Sequence, residues 1–222
     1  MAKTILIFFG PPGSGKGTQA DLLGQRSGWQ QLSTGAFFRQ EIKRGSRLGK
    51  LTDKYLKSGG LVPDVIIKKI IEKYLNQQRK SKVIILDGYP RNRQQQNDLV
   101  KILKKIFKSI SRIYAIEISL SGSEAKKRLS SRRSCRCGAV FNQITNPPKK
   151  SAKCDLCGGK LFTRNDDKPR VVAARLKLYR SEIKPVIDYW RRAGRLIKIN
   201  GEQTIKKIHQ DIRERLKKLK LI

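Results

Sequence analysis

Thr4-Ile5-Leu6-Ile7-Phe8-Phe9-Gly10-Pro11-Pro12-Gly13-Ser14-Gly15-Lys16-Gly17-Thr18 is the stretch from which the rest of the chain can be read. Its apolar run predicts a buried strand, and the amphipathic pattern over residues 17–26 predicts a helix. Between them lies a glycine-rich turn ending in lysine. Strand, glycine turn and helix together are the setting a phosphate-binding loop requires. The glycines let backbone N–H groups turn inward around phosphate oxygens, and the helix N-terminus adds partial positive charge. Lys16 then reaches toward β- and γ-phosphates. The hydroxyl that usually follows the lysine and ligates Mg²⁺ is displaced, because Gly17 comes first and Thr18 second. Mg²⁺ would then rest mostly on phosphate oxygens and its own water.

Further apolar runs at residues 83–87, 112–118 and 196–200, with a weak strand candidate at 29–32, bring the strand total to five. Helical patterns fall at 65–76, 93–107, 123–131, 171–193 and 204–219. This alternation predicts an α/β protein with a parallel sheet. In the last helix Ile205, Ile208, Ile212, Leu216 and Leu219 recur at helical spacing behind Thr204, a suitable cap. Two stretches break the rhythm. Residues 33–62 are helical and punctuated by glycine; residues 131–167 are polar, rich in Pro and Gly, and hold every cysteine. Both read as insertions, leaving a core of residues 1–32, 63–130 and 168–222. The run at 83–87 ends in Asp87, whose carboxylate either holds a metal-bound water or caps the strand end.

Composition excludes several classes. The chain has 222 residues, 38% of them hydrophobic, enough for a packed interior. Lys plus Arg number 51 against 17 Asp plus Glu, a formal charge of +34. Folding does not need that imbalance, which points to polyanions or to a lysine-rich compositional bias. The apolar run at 5–9 is far too short for a membrane span or a signal segment, so a soluble, cytoplasmic, monomeric protein is expected. The only histidine is His209, which rules out triads and metal sites built on several histidines.

Cys135-x-Cys137-Gly138 is followed after sixteen residues by Cys154-x-x-Cys157-Gly158. Four cysteines in two close pairs, without a secretion signal, favour metal over disulfides, and four thiolates suit a closed tetrahedral Zn²⁺ site. So few large apolar residues surround them that a metal would supply the folding free energy. Reduced free thiols or a redox pair are the alternatives.

The order of motifs resembles the adenylate kinases. Beyond the glycine loop these are Ser33-Thr34-Gly35, Arg39, Gly60-Leu61-Val62-Pro63-Asp64, Asp87-Gly88-Tyr89-Pro90-Arg91, Gln95, Arg132-Arg133 and Arg164-x-Asp166-Asp167. The resemblance spans essentially the whole chain and is to the long form with a zinc-bearing lid. It implies a P-loop NTPase-type sheet of five parallel strands flanked by helices. It also implies an AMP-binding insertion at 33–62, a lid at 131–167, and reversible Mg²⁺-dependent transfer from ATP to AMP giving two ADP. By the same resemblance Arg39 and Arg91 hold the acceptor monophosphate, while Arg132, Arg164 and Arg175 close over the transferring group, with Arg128 a further candidate. Thr34, Gly60, Leu61, Val62, Gly88, Tyr89 and Pro90 belong to the acceptor pocket. Gln95 can present its amide to an adenine edge. On the donor side stand Gly13 to Thr18, Val140, Phe141 and the main chain at Gln203; Phe141 either stacks on a purine or fills the lid's own core.

Three positions depart from the family pattern. The first cysteine pair lacks one residue, Ala36 stands where Asp is usual, and Arg170 where Glu is common. Two rival functions stay open. One is another base choice, with GTP as donor or CMP or UMP as acceptor. The other is a zinc-containing nucleic-acid-binding protein, against which the basic residues are spread along the chain instead of forming one stripe. Weak, sequence-independent RNA binding that does not define the function is expected beside the kinase reading.

Overall fold

The computed structural model describes residues 3–107 and 110–222. Five parallel strands form the main sheet: β1 (Lys3–Phe9), β2 (Gln30–Ser33), β3 (Val83–Asp87), β4 (Ile110–Ser119) and β7 (Leu196–Asn200). Their order is β2-β3-β1-β4-β7. β1 therefore lies at the centre, pairing Ile7 with Leu86 on one side and Ala115 on the other. A strand covered on both faces must be apolar throughout, which is why Ile5 to Phe9 contains no polar residue. Ile5, Leu6 and Ile7 are fully buried, each contributing roughly 1.5–3 kcal/mol.

Alternate residues serve two cores. Leu6 and Phe8 face α1 (Lys16–Ser27) and α9 (Ile205–Lys218). Ile5, Ile7 and Phe9 face the layer built by α4 (Asp64–Gln77), α5 (Arg93–Ile106) and α8 (Lys184–Arg192). The stripe predicted for α9 is seen: Ile208, Ile212 and Leu216 are buried, and Thr204 caps the helix by accepting from Lys207 N–H at 3.2 Å. His209 faces inward beside them. Among the described residues, no helix is long and apolar enough to cross a membrane.

Between β2 and α4 the chain forms α2 (Thr34–Lys43) and α3 (Arg47–Ser58). After α6 (Gly122–Ser130) comes a small antiparallel hairpin, β5 (Arg132–Ser134) with β6 (Val140–Asn142). Chain direction away from β1 reverses at this central strand, so the crevice at its carboxyl end is where a ligand is expected.

One helix differs from its expected form. The pattern at 171–193 predicts a single helix, but the structure has α7 (Pro169–Leu178), a π-helical turn at Tyr179–Ile183, and then α8. Pro185 explains the break. It has no N–H for the carbonyl four residues back, and the chain widens so that Lys184 N–H bonds to Tyr179 C=O instead.

Candidate active site

The loop after β1 is shaped by its glycines. Gly15 stands at the N-cap of α1 with φ 84°, a conformation closed to most side-chain-bearing residues. Ser14 is fully buried, and its Oγ has no hydrogen-bond partner. Lys16 Nζ donates to Pro11 C=O at 3.4 Å. Burial pulls the Lys16 pKa down to about 8; Asp87 opposes this, while Arg175, Arg91 and Arg132 reinforce it. An ammonium so placed gains from any phosphate that arrives.

Asp87 ends β3 directly beside this loop. Its Oδ2 accepts from Ser33 Oγ at 2.8 Å and lies 3.4 Å from where a side chain on Gly17 would begin. Its Oδ1 is buried without a partner. A carboxylate oxygen left open beside a phosphate-loop helix fits a cation and its water shell. Through Oδ2, Asp87 thus bonds at the strand end, as one of the two sequence readings expects.

The side expected to take the acceptor is built around Gly88. With φ 81°, it turns its carbonyl to Arg91 Nε at 2.8 Å and to Thr34 Oγ1 at 3.0 Å. Any β-carbon there would lie 2.7 Å from Thr34 Oγ1. Tyr89 is buried beneath, donating its hydroxyl to Gln95 C=O at 2.9 Å. Gln95 is more committed than its sequence reading implies. Its Oε1 accepts from Arg91 N–H at 2.8 Å and its Nε2 donates to Asp64 at 2.8 Å. It therefore positions Arg91 in this conformation, while its amide keeps a second N–H and a second acceptor lone pair.

Arg39, Arg91, Arg132, Arg164 and Arg175 lie in one electrostatic neighbourhood, and burial chiefly lowers the pKa of Arg39, Arg91, Arg164 and Arg175. A guanidinium remains charged through such shifts. Two carboxylates hold the group together. Asp167, whose side chain is fully buried, accepts from Arg132 Nε at 2.8 Å and from Arg175 at 3.3 Å. Asp166 pairs with Arg175 at 3.2 Å. Burial disfavours its ionised form, but Arg175, Arg132, Arg164 and Arg39 outweigh that and keep its carboxyl below the usual range. Arg164 Nε donates to Ser134 Oγ at 2.7 Å. Arg128, by contrast, is paired with Glu124 within α6.

A single cavity joins these parts. Lys16, Thr34, Arg39, Gly60, Leu61, Val62, Gly88, Pro90, Arg91, Gln95 and Arg175 all line it. The rest of the glycine loop from Gly13 to Thr18, with Arg132 and Arg164, lies outside that lining. So do Val140, Phe141 and Gln203. Val140 is exposed on the hairpin, and the Phe141 ring packs with Cys135, Cys154 and Leu161 in the small core of that segment. Gln203 spends its side-chain amide on Asn200 C=O and Asp211. Asp166, Asp167, Asp64 and Ser134 were assigned no site role from sequence. Adjacent acids flanked by arginine in so basic a chain were the available signal.

The four cysteine sulfurs lie within 4.8 Å of one another. Cys135 and Cys157 Sγ are 3.5 Å apart, and Cys137 and Cys154 Sγ 3.6 Å. Tetrahedral Zn–S bonds of about 2.3 Å put sulfurs about 3.8 Å apart, so the cluster fits such an ion. The shortened first pair still closes its turn, with Gly138 N–H donating to Cys135 C=O at 3.1 Å. Across the cleft, Lys43 Nζ of α2 donates to Arg136 C=O at 3.2 Å, tying the acceptor-side helices to this turn.

The family model described as adenylate kinase matches residues 8–195. The chain is 41% identical to the adenylate kinase of Archaeoglobus fulgidus, over 97% of this chain and 99% of that protein. It is 41% identical to that of Methanosarcina barkeri, over 96% and 98%. It is 40% identical to that of Methanothrix thermoacetophila, again over 96% and 98%. The chain belongs to the adenylate kinase family. An adenylate kinase is a phosphotransferase, and the expected family and fold class both hold. Against that family, Ala36 and Arg170 are both exposed, so neither departure disturbs the packed core.

Proposed function

We propose that the chain catalyses reversible phosphoryl transfer from ATP to AMP, giving two ADP. The observation that carries this reading is that Lys16, from the donor loop, lines the same cavity as Thr34, Arg39 and Arg91 on the acceptor side. Donor and acceptor phosphates would meet there, as in-line transfer demands. Lys16 holds the β- and γ-phosphates, with Gly13 to Thr18 supplying N–H groups and Val140, with the main chain at Phe141 and Gln203, the donor-base side. Arg39 and Arg91 fix the monophosphate, and Arg132, Arg164 and Arg175 neutralise charge developing on the transferring group. Asp87 holds the water shell of Mg²⁺, which when bound shields the phosphate oxygens from the nucleophile. Thr34, Gly60 to Val62, Gly88 to Pro90 and Gln95 shape the acceptor pocket.

In this reading residues 33–62 and 131–167 are the moving parts on a core of 1–32, 63–130 and 168–222. Their closure expels water that would otherwise accept the phosphoryl group. Zn²⁺ is the ion assigned to Cys135, Cys137, Cys154 and Cys157, with a structural role. The chain acts as a cytoplasmic monomer. Purified protein given ATP and Mg²⁺ with AMP, CMP or UMP in turn, and then GTP with AMP, tests the proposal. ADP should form fastest with ATP and AMP. Faster turnover of CMP or UMP would overturn the base assignment, and no turnover with any pair would overturn the reading.

The charge of +34 supports one subsidiary expectation. Scattered lysines and arginines neutralise phosphates and release counterions, so RNA should bind weakly and lose affinity steeply with added salt. Kinase activity should persist without RNA. Salt-resistant binding, or activity appearing only with RNA, would promote the nucleic-acid reading instead.

A further inference from the structure

We infer that Glu117 is a positioning residue for the acceptor pocket, acting through the π-helical turn at Tyr179–Ile183. The inference rests on the proposed acceptor role of that cavity. Glu117 lies on β4, in register with Phe9 of β1 and Lys198 of β7. Alternation along β4 places it on the same sheet face as Ala115, which belongs with Ile5, Ile7 and Phe9 to one apolar core. A carboxylate is out of place there. It is only 8% exposed, and its Oε2 has no hydrogen-bond partner.

The contacts it does make bracket the break between α7 and α8. Tyr179, the first residue of the π-helical turn, donates its hydroxyl to Glu117 Oε1 at 3.2 Å. Arg191, near the end of α8, places Nη2 3.8 Å from Oε2. One long bond and one loose ion pair do not offset the burial of a carboxylate, and an apolar residue of similar volume would suit stability as well or better. What the pair fixes is position. Leu178, just before the bonded turn, and Ile183, its last residue, both line the substrate cavity, as does Phe9 beside Glu117. Pro185 already fixes the π-helical register, so what remains to be held is the seat of that turn against β4, and a shift there would move Leu178 and Ile183 in the pocket wall. Glu117 and Tyr179 hold the seat that keeps both there.

Glu117→Leu, Tyr179→Phe and the double variant test this, read by AMP binding in calorimetry, by KM for AMP and ATP separately, and by thermal melting. Each single variant should weaken AMP about five- to tenfold, leave KM for ATP and kcat within about twofold, and melt no lower than the parent. The double variant should be no worse than either single, because both remove one tether. Glu117→Gln, which keeps an acceptor for Tyr179, should restore most of the AMP affinity. Unchanged AMP affinity in either folded single variant, additive losses, or lowered melting with unchanged AMP binding would overturn the inference. Failure of the parent itself to bind AMP would instead overturn the acceptor reading on which it rests.

Discussion

Lys16→Met should lower kcat for ADP formation by about 10³-fold or more, a loss on the order of 4 kcal/mol of transition-state stabilisation, and still melt higher than the parent. Both effects have one source. Desolvation in the loop holds the Lys16 pKa near 8 instead of 10.5. A base whose folded pKa is depressed costs the fold most at low pH, where it must stay charged, and the cost fades as pH rises from about 8 toward 10.5. At pH 7 it amounts to roughly 2–3 kcal/mol after allowing for solvent screening, which methionine does not incur. Urea midpoints at pH 7 and pH 10 should therefore converge between the two proteins, with the variant ahead at pH 7. A folded variant with more than about a tenth of parental kcat, or one that melts lower at pH 7, would refute the assignment.

Removing the metal should act in the opposite sense. Protein purified without added metal should carry about one Zn²⁺ per chain, bound by Cys135, Cys137, Cys154 and Cys157. Cys154 is buried among Phe141, Leu161 and Cys135, a cluster too small to hold itself together. Cys154→Ser, or prolonged chelation, should lower the melting temperature by about 10 °C or more. Turnover well below that temperature should fall much less, because no thiolate lines the substrate cavity. Elemental analysis that finds no zinc, with all four thiols freely titratable in the folded protein, would sink the site.

The sheet was legible mainly through β1 and β3, whose largely apolar runs suit a strand covered on both faces, whereas β2 offers only Leu32 to the core and carries a weak signal. The phosphate loop was legible because glycine spacing and lysine together leave few other meanings. What escaped was set by partners distant in sequence. The break at Tyr179–Ile183 had a local signal in Pro185, but the apolar spacing on both sides continues as if through one helix. Gln95 reads as a free amide until Asp64 and the Arg91 N–H are brought to it. Phe141 offers the same ring to a purine or to a core, and only the convergence of Cys135, Cys154 and Leu161 shows where it packs. Asp166 and Asp167 look like ordinary surface acids until Arg132 and Arg175 are seen on them.

Those two aspartates give the basic cleft a resident anion. Without them the guanidinium groups of Arg132 and Arg175 would repel each other and the neighbouring Arg39 and Arg164, and any stray phosphate, sulfate or nucleic-acid strand would be welcome. With Asp166 and Asp167 already seated, an incoming polyphosphate must compete for partners that are engaged, so its binding is an exchange of one anion for another. Affinity then becomes a difference between two strong attractions. A ligand that offers only charge gains little from the trade, and one that also fits the pocket gains the remainder. In a protein with three times as many cations as acids, that pairing would make this cleft selective.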